Sequence, residues 1–175
     1  RDPVALMEAF NIARPEVVIH MAAQPLVRAG YERPSYTYDV NVMGTVNVLE
    51  CCRRRLPKSV VNVTTDKVYR NDDIDGYRYV EGDALDGFDP YSNSKSCSEL
   101  VTATYNRCFL APAGVPVSAV RSGNVIGPGD WADNRIVPDL VRAALDGTPC
   151  ELRNPTSTRP YQHVLEPVCA YLALA

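Results

Sequence analysis

Apolar and polar positions fall into two alternating rhythms along the chain. In RDPVALMEAFNIARP, Val4, Leu6, Met7 and Phe10 recur at helical spacing, which predicts a helix capped by Asp2 with Pro3 in its first turn. EVVIHMAA is a short apolar run and predicts a strand over 16–20. RPSYTYDVNVMGTVNVLECCRRRL predicts one long helix over 35–55, with Pro34 and Ser35 at its start and Pro57 after its end. SVVNVTT predicts the next strand. Residues 70–89, RNDDIDGYRYVEGDALDGFD, are polar and rich in Gly and Asp, and predict a loop over the mouth of a cleft. PYSNSKSCSELVTATYNRCFLA predicts a helix from near Pro90. VPVSAVRSGNVIG predicts a third strand, with GPGD as a turn behind it. NRIVPDLVRAALDGTP predicts a helix ended by Gly147, CELRNPTSTRPYQHV a short strand and loop, and EPVCAYLALA a final helix.

The predicted order is α-β-α-β-α-β-α. Apolar strands alternating with helices imply a parallel sheet covered by helices, and right-handed crossovers make it a doubly wound α/β sheet. Ligands of such sheets sit beyond the carboxyl ends of the strands. Those ends hold His20–Gln24, Thr64–Lys67 and Arg121–Asn124.

Composition narrows the picture. With 175 residues, 46% hydrophobic and 22% charged, the chain can bury a real core. A net charge of −3 gives no electrostatic case for nucleic acid or an anionic membrane, so an anionic small ligand must be met by a few placed arginines and backbone dipoles. No apolar run approaches the roughly 20 residues of a bilayer span, and no signal peptide is visible. Cys51, Cys52, Cys97, Cys108, Cys150 and Cys169 form no CxxC pair and have no histidine cluster. They read as reduced structural thiols of a cytosolic (cytoplasmic) protein, and no metal site is expected.

Tyr91 and Lys95, in YSNSK, are four apart and share a helix face. A free tyrosine titrates near about 10; bringing it to about 7 takes roughly 4 kcal/mol of differential stabilisation, part of which a neighbouring ammonium can supply. A tyrosinate so poised can remove a hydroxyl proton while hydride leaves the same carbon. Alone, the pair reads as a solvated surface pair of the kind many helices carry by chance. Thr65, at the end of the preceding strand, can bridge the same substrate oxygen, although a threonine there is also an ordinary β-former. Asp66 and Lys67 follow Thr65 directly. A simple dehydrogenase or epimerase needs only Thr, Tyr and Lys. Further acid–base groups imply a further proton transfer, with Asp66 protonating a leaving hydroxyl and Lys67 helping to remove a proton beside a ketone. The alternative is an Asp–Lys pair that steadies a turn.

A strand ending in Thr, then a loop, then Tyr-x-x-x-Lys on a helix resembles the short-chain dehydrogenase/reductase superfamily. HMAAQPLV, NVMGTVNVLE, VTTDKVY, DPYSNSKSCSEL, RSGNVIGPGDWADNRIVPD and NPTSTRPYQHVLEP resemble its extended, Rossmann-like members that act on nucleoside-diphosphate sugars, the NAD-dependent epimerases and dehydratases. Asp66-Lys67, GPGDW and RPYQHVLEP are similar to the CDP-glucose 4,6-dehydratase branch; dTDP-glucose dehydratases usually carry Asp-Glu at that pair, and UDP-sugar epimerases lack the acid. The resemblance implies a bound, internally recycled NAD and catalysis by Thr65, Asp66, Lys67, Tyr91 and Lys95. It implies cofactor contacts at Ala22, Ala23, Gln24, Thr64, Tyr91, Lys95 and Arg121. It implies substrate contacts at Gln24, Asn124, Arg135, Arg159, Tyr161 and His163, with the guanidinium of Arg159 suited to a diphosphate. His20 reads as a strand-end structural residue, and Trp131 either shapes a pocket or packs. Helix 35–55 and the helix from Pro90 are those such proteins pair into a homodimer.

Two features depart from that pattern. The Gly-rich dinucleotide fingerprint is absent, and the chain runs from Arg1 straight into a helix and ends inside another. It is therefore expected to be a fragment, with 1–130 the central and later part of an NAD-binding domain and 131–175 the start of a substrate lobe. As a fragment it should hold NAD weakly, dissolve poorly and turn over little. RNDDIDGYRY also intervenes after the DKVY motif, which leaves the preferred nucleobase open. Another sugar dehydratase, a 4-epimerase, and a non-catalytic remnant that binds a nucleotide or a partner remain as alternatives.

Overall fold

In the computed structural model, which describes residues 1–175, strands β1 (Val17–His20), β2 (Ser59–Val63) and β3 (Val117–Val120) form one parallel sheet in the order β1-β2-β3. Val17 pairs with Ser59, and Val60 pairs with Val117. β2 is therefore central, and its Val60 and Val61 are buried. Three helical stretches pack side by side: α1 (Pro3–Ala13), α4 (Gly44–Arg55) and α5 (Pro90–Tyr105). Asp2 caps α1 through Oδ1, which accepts from the amides of Val4 and Ala5. The apolar core lies among these helices and the sheet: Phe10, Leu49, Cys51, Cys52, Val60, Leu110 and Val115.

The long helix expected over 35–55 is built in three parts. α3 (Pro34–Tyr38) runs into a π-helical turn, Asp39–Met43, and on into α4. The wide turn carries Asn41, which is buried and bonded to two other segments, so side-chain bonding favours the bulge where hydrophobic spacing shows only helix. A short helix, α2 (Val27–Glu32), precedes it where no helix was predicted; it has no side-chain cap and Pro34 follows close behind. α5 likewise passes into a π turn, Asn106–Leu110, and a 3-10 turn that stops at Gly114.

The third predicted strand, VPVSAVRSGNVIG, is in fact two. β3 belongs to the three-stranded sheet, whereas β4 (Asn124–Ile126) pairs in parallel with β5 (Tyr161–His163). Gly123 marks the break. A Cβ there would lie 2.7 Å from the Pro160 carbonyl oxygen, so the close approach of these two backbones requires glycine. The chain divides at the same place into two compact units, Arg1–Ser122 with Tyr171–Ala175, and Gly123–Ala170. The second unit holds the β4–β5 pair and α6 (Ile136–Asp146), which ends at Gly147 in the left-handed conformation. The last helix, α7, spans Leu165–Leu174. No helix is long and apolar enough to cross a membrane.

Candidate active site

The carboxyl end of β2 runs directly into Thr64-Thr65-Asp66-Lys67. Thr65 is extended and buried, and its hydroxyl caps the short 3-10 turn Asp66–Val68 by accepting from Lys67 N at 3.4 Å. The same hydroxyl donates to Asp66 Oδ1 at 3.1 Å. Asp66 is half-buried and Lys67 exposed, and the Asp66 amide donates to the Ser122 carbonyl at 2.9 Å. The turn thus brings the Thr65 hydroxyl against the Asp66 carboxylate where the strand runs out, with Lys67 next in the chain and exposed.

α5 supplies the rest. Asp89 caps it: Oδ1 accepts from the amides of Tyr91 and Ser92, Oδ2 accepts from the Ser92 hydroxyl, and Pro90 takes the first helical position. This fixes Tyr91 in the first turn, with Lys95 one turn below it. Gly87 lets the incoming loop press on the helix, since a Cβ there would sit 2.4 Å from the Ser92 carbonyl carbon, and its amide donates to Ser96 Oγ at 3.0 Å. Lys95 is 5% exposed and its Nζ donates to the Val63 carbonyl at 3.0 Å. Burial lowers its pKa to about 8 against an opposing pull from Glu99, so at neutral pH it is still mostly an ammonium. His20, at the end of β1, is held neutral: burial first, then the charge of Lys95, lower its pKa to about 4. Its Nε2 is 3.1 Å from Thr45 Oγ1, which fits the structural part expected of it.

Behind these groups lies a continuous polar interior. Thr45 meets Ser98 at 3.0 Å, and Asn62 Nδ2 donates to Ser98 and Thr102. Asn41 accepts from the Gln24 amide at 2.8 Å and donates to the Gln24 carbonyl and to Ser94. Glu99, 5% exposed, accepts from Thr64 Oγ1 at 2.6 Å and is gripped by the Arg121 guanidinium through Nε and Nη2. Asn41, Asp89 and Glu99 were not singled out in the sequence. The run SNSKSCSE is the one local signal for this interior, since small polar residues at successive helix positions offer hydroxyls to whatever packs on them.

The remaining expected residues divide by what they touch. Gln24 is buried with its amide committed inward, Nε2 to Thr37 and Oε1 accepting from Leu26 N, so it secures the loop after β1. Thr64 bonds Glu99 and the Val120 carbonyl. Arg121 also donates to the Glu81 carbonyl and lies over the Tyr69 ring, 4.6 Å from its centroid. Ala22 is exposed and Ala23 half-buried. In the second unit, Asn124 and Tyr161 are register partners, and His163 pairs with Ile126. Arg135 reaches Asp130 at 3.3 Å, the exposed Arg159 donates to its neighbour's carbonyl, and His163 Nδ1 accepts from Leu165 N.

Comparison with known proteins places this geometry. The pattern that defines the NAD dependent epimerase/dehydratase family matches residues 1–175. The chain belongs to that family. It is 48% identical to a CDP-glucose 4,6-dehydratase of Salmonella typhimurium over 100% of this chain and 50% of that protein. In three dimensions it resembles a UDP-glucose 4-epimerase of Thermotoga maritima crystallised with UDP-glucose (TM-score 0.88, 23% identity, covering 98% of this chain and 55% of that one). It also resembles a Thermus thermophilus UDP-glucose 4-epimerase in complex with NAD (TM-score 0.84, 29% identity, 99% and 57%). The chain spans about half the length of the curated relatives it matches. The fold is the Rossmann-like, doubly wound parallel sheet of this family, and NAD is the family's cofactor.

The residues at the strand ends fit one end of that cofactor. Ala22 and Ala23 put no more than a methyl beside the backbone that follows β1, and Met21 and Ala22 are open to solvent. Lys95 gives one ammonium proton to the Val63 carbonyl, and an ammonium carries three donors, a chemistry that suits the hydroxyls of a ribose.

Proposed function

We propose that the full-length protein removes water from a nucleoside-diphosphate hexose, CDP-glucose first, giving the 4-keto-6-deoxy sugar nucleotide. The observation that carries this reading is the Thr65-Asp66-Lys67 turn: a buried hydroxyl touching a half-buried carboxylate, with an ammonium next in line, all at the carboxyl end of β2. The 48% identity to a CDP-glucose 4,6-dehydratase along the whole chain supports the choice of reaction and of base.

Bound NAD supplies the hydride acceptor for C4 and the hydride donor for C6. Tyr91 takes the proton of the 4-hydroxyl, with Thr65 bridging the same oxygen and the Lys95 ammonium favouring the phenolate. Lys95 also bonds the nicotinamide ribose. The resulting 4-ketone acidifies the hydrogen at C5; Lys67, acting through its amine nitrogen, takes that proton and returns it to C5 when C6 is reduced. Asp66, acting in its protonated carboxyl form, gives a proton to the departing 6-hydroxyl, which leaves as water. The proton that Tyr91 took from the 4-hydroxyl replaces the one Asp66 gave, so residues and cofactor end each turnover as they began. Ala22 and Ala23 let NAD approach the backbone. Gln24, Thr64 and Arg121 hold the cofactor side of the site through the loops they bond, and Asn124, Arg135, Arg159, Tyr161 and His163 receive the sugar diphosphate. Met43, Leu100 and Phe109 are exposed on the helices we assign to a homodimer interface.

The test is to incubate the full-length protein with NAD and, separately, CDP-, dTDP- and UDP-glucose, and to weigh the products. Loss of one water from CDP-glucose without net NADH is the expected result. Loss of water from another nucleotide only keeps the mechanism and changes the base. An unchanged mass with all three overturns the dehydratase.

A further inference from the structure

The segment Thr64–Tyr69 is fastened at both ends by the same buried ion pair. At its start, Thr64 Oγ1 donates to Glu99 Oε1 at 2.6 Å. At its end, the Arg121 guanidinium lies over the Tyr69 ring at 4.6 Å. Glu99 and Arg121 are joined to each other through both carboxylate oxygens, with side chains only 6% and 17% exposed. Glu99 stands on α5 one turn below Lys95, and Arg121 directly follows β3. The pair therefore ties the helix that carries Tyr91 and Lys95 to the turn that carries Thr65, Asp66 and Lys67. Tyr69 in turn stacks on Tyr79 of the 70–89 loop (centroids 4.7 Å, planes 22° apart), and Arg121 Nη1 donates to the Glu81 carbonyl of that loop at 3.1 Å. Neither Glu99 nor Arg121 has been given a catalytic step, and the donors of Arg121 are largely committed inside the protein.

We propose that Glu99 and Arg121 are positioning residues: a clamp that holds the Asp66-Lys67 turn at a fixed height against α5, with Tyr69 as its outer jaw. The idea rests on the dehydratase reading for what the turn does, but not for how the turn is held. A planar guanidinium is required, because one face must lie on an aromatic ring while the edge binds a carboxylate through two parallel bonds. A lysine keeps the charge beside Glu99 and loses both the stacking face and the second bond. The residues the clamp orders are the two that separate elimination from simple oxidation. Loosening it should slow water loss while leaving the cofactor in place.

The experiment uses the full-length, NAD-loaded protein with Arg121→Lys and, separately, Tyr69→Leu, which removes the outer jaw and leaves the ion pair intact. Amide hydrogen exchange reports the turn directly. Faster exchange at Asp66, Lys67 and Val68, with β2 unchanged, is expected in both variants, whether or not any sugar nucleotide is turned over. With CDP-glucose, kcat of Tyr69→Leu should fall by about ten- to a hundred-fold at near-constant KM and full NAD content, the size expected when reacting groups are displaced by about an ångström. Unchanged exchange across 66–68 in Tyr69→Leu and in any Arg121→Lys that folds overturns the clamp. So does a kcat per NAD-loaded molecule equal to the parent's beside a lowered melting temperature, since that is the mark of a merely structural ion pair. If the parent protein dehydrates nothing, the dehydratase reading fails and the exchange result still decides the clamp.

Discussion

The two ends of the three-stranded sheet are made of different material. At the amino ends of the strands the helices meet through Phe10, Leu49, Cys51, Cys52, Val60, Leu110 and Val115. One or two turns along the same elements the contacts become Asn41, Thr45, Asn62, Ser94, Ser98 and Thr102, every one buried. β2 crosses the boundary within two residues, from Val60 to Asn62, and α4 crosses it between Leu49 and Thr45. Apolar contacts are strong but tolerate sliding, whereas hydrogen bonds fail when displaced by an ångström or less. On the proposed function, which needs Tyr91, Lys95 and Thr65 in one geometry, the first end supplies stability and the second orientation. The thiols agree: burial raises the pKa of Cys52 to about 12, so it packs as an inert small hydrophobe at the apolar end.

The comparison breaks most visibly if the two ends can be damaged separately. In the full-length protein, Tyr91→Phe removes the proposed proton acceptor and should lower kcat by about 10²- to 10⁴-fold, the range for general acid–base groups, while the urea midpoint moves far less than kcat does. Leu49→Ala, at a side chain 1% exposed, should do the converse. It costs about 3 kcal/mol of unfolding free energy by denaturant titration, and turnover per folded molecule stays within about twofold because the lesion is remote from the site. Equal losses of both quantities in either variant would erase the distinction.

The apolar end was legible in the sequence and the polar end was not. Helical spacing of Leu6, Met7 and Phe10 and the run SVVNV announce α1 and β2, because burial against water leaves a period in the chain. Thr65, Asp66, Lys67, Tyr91 and Lys95 could be picked out by type and spacing, since each belongs to a strand end or a single helix face. What spacing does not encode is which polar group satisfies which. Glu99 meets Arg121 across 22 residues and Asn41 meets Ser94 across 53. For the same reason Gln24 and Arg121 read as ligand-binding candidates, although their side chains are largely committed within the fold. The π turn at Asp39–Met43 and the break at Gly123 arise from such partners too, Asn41 in one case and Pro160 in the other.

A titration sharpens the comparison, because the polar end carries a buried imidazole. His20 titrates at about 4 in the folded protein against 6.5 as its ordinary value, chiefly through burial and then through Lys95. Between those values the unfolded chain binds a proton that the native state refuses, so stability is full above pH 6.5 and is lost as pH falls toward 4. The gap corresponds to about 3 kcal/mol. Urea midpoints from pH 7 to pH 4 should show this loss in the parent and in Leu49→Ala alike. Replacing the imidazole by a group that does not titrate, His20→Gln, should remove that share of the slope. An identical slope in His20→Gln would place the titration elsewhere.

The finest contrast lies within the polar end, between two asparagines that look alike in burial at 1% exposed. Asn41 uses both ends of its amide: Oδ1 accepts from Gln24 N, and Nδ2 donates to the Gln24 carbonyl and to Ser94. Removing it strands the two backbone groups of Gln24 in a buried place, and Asn41→Leu should cost about 2–3 kcal/mol. Asn62 donates to Ser98 and Thr102, but its own Oδ1 has no partner. The fold already bears the desolvation of that oxygen, and Thr102 Oγ1 keeps its bond to the Ser98 carbonyl if the amide is gone. Asn62→Leu, close in volume, should therefore change stability by less than about 1 kcal/mol in a denaturant titration. A loss as large as that of Asn41→Leu would mean that the unpaired oxygen matters to the fold. Orientation at this end would then depend on how many polar groups are buried rather than on which of them are paired.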